Sequence, residues 1–135
     1  MILFLRGLFI VVIASMLWVT SWASMQCPLF AIPREVYGHP WFIATMFDAY
    51  WGFITFFVWV CYRQVSWVAR IAWFVAIILF GNIAMASYCL DALFRVRKDA
   101  KLSEVLVTKS TGIGGLGIFL ALLGIAVTLA GIPRH

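Results

Sequence analysis

Residues 67–93 read WVARIAWFVAIILFGNIAMASYCLDAL, an apolar run with Arg70 near its start, Asn82 inside it and Asp91 near its end. A helix rising ~1.5 Å per residue needs ~20 residues to cross a ~30 Å hydrocarbon core. The run has that length, and so do Ile2 to about Trp22, Trp41 to about Tyr62, and Gly112 to Ile132. All four must be helices: an open sheet would leave backbone groups unpaired in lipid, and no alternating pattern suggests a barrel. The expected fold is therefore an all-α integral membrane protein, a compact bundle of four transmembrane helices at about 2–22, 41–62, 67–93 and 112–132. These form a single domain over 1–135.

Composition points the same way. Apolar residues make up 65% of the chain and charged residues 11%, against about 45–50% and about 25% in soluble domains. An ordinary soluble domain, a disordered tail and a nucleic-acid-binding module are thereby disfavoured. The net charge of +5 sits at span ends, where it meets lipid phosphates rather than nucleic acid. A multi-pass position in a bacterial inner membrane is expected from size and the lack of an obvious sorting signal. A cleaved signal peptide ending near Ser21-Trp22-Ala23 is the alternative for the first run, but Trp18 and Trp22 suit a retained anchor better.

With four spans, the segments 23–40 and 94–111 share one face. The link 63–66 and both termini share the other. Counting Lys and Arg gives six for the loop face and four for the terminal face, while Arg6 before the first span argues for the opposite orientation, so the count leaves orientation open.

Small residues bring helices together in lipid. Gly114, Gly117, Ala121, Gly124, Thr128 and Gly131 fall on one stripe of the last span. This stripe is expected to pack within the bundle, with a homodimer or another membrane protein as the alternative partner. Thr45, Asp48, Gly52 and Thr55 repeat the spacing in the second span, which turns Asp48 inward. Counted from the loop face, Ser15, Asp48 and Asn82 lie roughly 10–17 Å deep and are expected to meet. Such a patch serves as interhelical glue or binds the polar head of a lipid- or quinone-like amphipath, with Tyr50 and Tyr88 adding hydrogen bonds. The competing class is a membrane enzyme or small carrier using Asp48 as a proton or substrate site. Arg63, Arg70, Arg95 and Arg97 are expected to grip headgroups.

No nucleophile elbow, Walker loop, metal-ligand motif or dinucleotide fingerprint occurs, and no catalytic residue, metal or cofactor is expected. A pair formed by Asp48 or Glu35 with His39 is the remaining acid–base candidate. His39 and His135 fall on opposite faces, too far apart to ligate one haem.

The texts Phe47-Asp48-Ala49-Tyr50-Trp51-Gly52-Phe53, Trp59-Val60-Cys61-Tyr62-Arg63, Ser66-Trp67, Arg70 and Gly81-Asn82-Ile83-Ala84 resemble a family of short multi-span membrane proteins of unknown function. The resemblance covers about 40–95. It implies the architecture and no chemistry. The reading that follows is a non-catalytic accessory or interaction subunit of the bilayer, with an amphipath site near Asp48.

Overall fold

The computed structural model describes residues 1–132, so Pro133, expected to end the last span, lies outside the described residues with Arg134 and His135. In chain order it has α1 (Ile2–Gln26), a 3-10 turn (Leu29–Ala31), α2 (Arg34–Tyr37), α3 (Pro40–Arg63), α4 (Trp67–Phe80), α5 (Asn82–Phe94), α6 (Leu102–Val107) and α7 (Gly115–Gly131). Two of these, α1 and α3, are long and apolar enough to cross a membrane. The apolar helices α4, α5 and α7 are shorter.

The run 67–93 is two helices, which corrects the expected count of four. Gly81, at φ +52° and ψ −121°, ends α4 and opens α5, a conformation that only glycine adopts freely. Beyond it α5 folds back along α4. One continuous helix would hold Trp73 and Tyr88 ~22 Å apart, yet their rings meet edge to face with centroids 4.8 Å apart. Further along, Gln64 Nε2 donates to the Tyr88 hydroxyl over 3.3 Å. Small residues bring each arm of the hairpin against a further helix: Ala69 of α4 lies against Gly114 at the start of α7, and Ala92 of α5 is buried with Ile2 of α1.

The turn decides the direction of everything around it. Helix α1 runs antiparallel to α5: Ile2 is buried with Ala92, Leu93 and Val105, and Arg6 donates to the carbonyls of Leu93 (2.7 Å) and Val96 (3.0 Å). Helix α7 runs parallel to α4, with Gly114 against Ala69, Gly117 against Trp73 and Gly124 against Leu79. Phe53, Phe56 and Phe57 of α3 pack with Val60 onto the core, which comprises Trp73, Ala76, Ile77, Ala84, Tyr88, Leu120 and Ala121.

Two ends result. The cationic end gathers the start of α1, the end of α3, the 64–66 link, the end of α5, α6 and the start of α7. The hairpin end gathers the end of α1, residues 27–39, Gly81 and the end of α7. The four-span layout put the short link and the 94–111 segment on opposite faces. Instead, residues 106–110 strap the link down. Trp59 Nε1 donates to Leu106 O (3.0 Å), Arg63 Nε to Thr108 O (3.0 Å), Ser110 N to Arg63 O (2.8 Å) and Val65 N to Ser110 O (3.1 Å). The ends of the described chain likewise lie at opposite ends of the bundle, not together as expected, because the reversal at Gly81 adds one pass.

Candidate functional site

Unequal helix lengths create a sizeable recess that several elements share. At ~1.5 Å per residue, α1 and α3 extend ~36 Å but α4 and α5 only ~20 Å, so the hairpin tip stops well below the far ends of its longer neighbours. Above the tip is a crevice of about 560 Å³. Its walls are Met16, Leu17 and Thr20 of α1 and Gly124, Val127 and Thr128 of α7; Leu79, Phe80 and Ile83 form its floor, and Pro28, Leu29 and Phe30 cover its outer side. Phe30 can lie there because Gly131 has no side chain: a Cβ on that residue would meet the ring at 3.3 Å.

The crevice is apolar with a few polar atoms. Thr20 and Thr128 donate to their own helices, at Met16 O (2.6 Å) and Gly124 O (2.8 Å), leaving oxygen lone pairs to accept. Ser21 and Ser24 also line it. At the floor, α5 starts without a side-chain cap. The N–H groups of Asn82, Ile83 and Ala84 precede its first backbone bond, from Met85 N to Gly81 O (3.0 Å), and face the hairpin end. An apolar recess edged by hydroxyl groups suits a chain-like molecule with a small polar head.

The sequence-expected site does not form. Asp48, Asn82 and Ser15 are all exposed rather than turned inward, and the Ser15 hydroxyl donates to Val12 O of its own helix (2.9 Å). The reason is a competition between two faces of α3. The aromatic face of Phe53, Phe56 and Phe57 takes the core, and the small-polar stripe of Thr45, Asp48, Gly52 and Thr55 points away; Gly52 has nothing within 4 Å of where its Cβ would be. Tyr50 lies on a shallow groove made by α3 alone, with Met46, Phe47, Trp51 and Ile54. Tyr88, expected as a ligand contact, is 1% exposed and enclosed by Phe56, Trp59 and Trp73. The stripe of α7 lies on α4, with Gly117, Ala121 and Gly124 buried, Thr128 half-buried and Gly131 beside Phe30.

The arginines divide into two groups. Arg63 is 3% exposed, so it does not grip headgroups; its guanidinium lies over Trp59 and Tyr88. Arg70 is half-buried, donating to Gln64 O (2.9 Å) and lying over Trp67. Arg95 pairs with Asp91 at 2.9 Å, and Arg97 is exposed beside Asp99. Arg6, which the sequence shows only as a charge, binds the Leu93 carbonyl in the last turn of α5 and the Val96 carbonyl just beyond it, and offsets the negative end of that helix. The three cysteines are free thiols.

Charge is sharply polarised along the bundle. Of the ten Lys and Arg residues, Arg6, Arg63, Arg70, Arg95, Arg97, Lys98, Lys101 and Lys109 are at the cationic end and Arg34 is at the hairpin end. The family model for a protein of unknown function, DUF1475, matches residues 2–110. The chain belongs to this family. The DUF1475 match begins with α1 and ends on Ser110, the last residue of the strap, so it takes in the hairpin and its Gly81 turn while α7 lies beyond it. No curated protein and no solved structure matches the chain.

Proposed function

We propose that this DUF1475 protein is a multi-pass membrane protein that holds a lipid- or quinone-like amphipath in the crevice above the hairpin, as a non-catalytic accessory subunit. In this reading α1, α3 and α7 cross the bilayer. The α4–α5 hairpin enters from the cationic end and turns back inside the hydrocarbon at Gly81. The backbone groups of Gly81 itself are satisfied, with its N–H donating to Ile77 O over 2.7 Å and its carbonyl accepting from Met85 N. The concentration of Lys and Arg at one end supports a cytoplasmic cationic end, with the hairpin end facing outward. This orientation replaces the nearly even count that a four-span layout gives.

The observation that carries the binding proposal is an apolar recess of about 560 Å³ between α1 and α7, with the hydroxyls of Thr20, Ser21, Ser24 and Thr128 on its walls. Pockets for small ligands span ~300–1,000 Å³. The polar head of a ligand meets the hydroxyls of Ser21 and Ser24, and its chain lies between α1 and α7. Mass spectrometry of the protein released from native-lipid discs tests this. A chain-bearing amphipath should copurify in stoichiometric amount and be lost in Ser21→Phe, which fills the recess from an exposed position. Bulk lipids in the same proportion for both proteins would refute it.

A further inference from the structure

Resting on the membrane reading above but not on the crevice, we infer that the outward stripe of α3 is a docking face for a transmembrane helix of another protein that carries a lysine or arginine. Asp48 lies eight residues, ~12 Å, along α3 from Pro40, which places it within the hydrocarbon. It is exposed there, on a flank of α3 turned away from Phe53 and Phe57, which pack on the core. An ionisable group at this depth is costly unless paired, and among the described residues none pairs with Asp48. Among the described residues the only ion pairs are Asp91–Arg95 and Arg97–Asp99, and all but one of the described cations belong to the opposite end.

The surroundings of Asp48 fit a close helix and not lipid alone. Gly52, one turn on, leaves open space above the backbone, which lets a neighbouring helix approach. Thr45 and Thr55 donate to Trp41 O and Trp51 O, each over 2.8 Å, so both hydroxyl protons are used and the stripe's net demand is for a donor at Asp48. A basic side chain meets that demand. A second copy of this chain would bring a second carboxylate to the same place, and like charges disfavour it.

Photo-crosslinking of the full chain in its native membrane tests the assignment, with benzoylphenylalanine replacing Thr55. The expected adduct is a foreign membrane segment with Lys or Arg within a helical turn of the attachment level. Its yield should fall about tenfold in Asp48→Leu, as expected for loss of a polar interhelical pair. Charge exchange between Asp48→Lys and an acidic replacement in the partner should restore the yield. A foreign segment without a basic residue, a peptide of this same chain, or lipid adducts alone would overturn the assignment. Asp48→Cys, in a chain whose Cys27, Cys61 and Cys89 are replaced by serine, separates the two levels of failure. Modification by a membrane-impermeant aqueous thiol reagent would overturn the membrane reading together with the docking face, whereas protection with lipid adducts alone overturns the docking face only.

Discussion

Replacing Gly81 by alanine should destabilise this protein, and the sign of the effect is more informative than its size. At φ +52° and ψ −121° an L residue is strained, by about 1–3 kcal/mol for a sparsely populated backbone conformation. The new methyl would also lie 2.6 Å from Phe53 Cζ, and overpacking of this kind typically adds about 1–3 kcal/mol. Together they predict a loss of roughly 2–6 kcal/mol. In an unbroken helix over 67–93 the same change would stabilise by about 1 kcal/mol, since alanine is the better helix former. Unfolding of the purified protein in detergent, followed by tryptophan fluorescence, measures the difference. In a Phe53→Ala background the penalty of Gly81→Ala should shrink by the ring's share and leave the backbone share. A higher midpoint for Gly81→Ala would refute the hairpin.

Gly117→Ala should lower thermal stability, because its methyl would come within 2.8 Å of the Trp73 indole, at a cost of about 1–3 kcal/mol; Gly115→Ala, with nothing within 4 Å, should not lower it. Arg63→Met removes the charge-assisted bond to Thr108 O and should cost about 1.5–3 kcal/mol, with faster amide hydrogen exchange confined to residues 106–110 and the 64–66 link as its local signature. Arg6→Leu should likewise loosen the end of α5, seen as faster exchange around residues 91–96 while the hairpin tip is unchanged. Asp91→Asn, by contrast, breaks a largely exposed pair and should shift stability by no more than about 1 kcal/mol; a larger loss would mean that Asp91 does more than pair with Arg95.

The helical class, the limits of the long apolar runs and the small-residue stripe of α7 are all readable in the sequence, because each rests on local composition or on a period within one helix. The turn at Gly81 is not readable by hydropathy, since both arms of the hairpin are as apolar as a single span. Its signals are subtler: a Gly81-Asn82 pair at the centre of the run, with alanines at close spacing on both sides. Asp48 shows a different limit. Spacing correctly grouped it with Thr45, Gly52 and Thr55, but which face of α3 turns inward depends on what the other helices offer. Trp73 and Tyr88 offered partners to phenylalanines, not to a carboxyl group. Likewise Arg63 looked like a headgroup contact by position, and only the folding back of α5 and the strap at 106–110 enclosed it. The crevice was illegible for the same reason, being a product of unequal helix lengths around a turn.

The claim on which the account depends is that the chain reverses direction at Gly81, so that its two ends lie on opposite sides of the bilayer. Reporter domains fused in turn to the amino end and to the carboxyl end, each active on one side only, measure this directly. The account predicts an amino-terminal reporter in the cytoplasm and a carboxyl-terminal reporter outside. Both reporters on the same side would contradict it and restore a bundle of four uninterrupted spans.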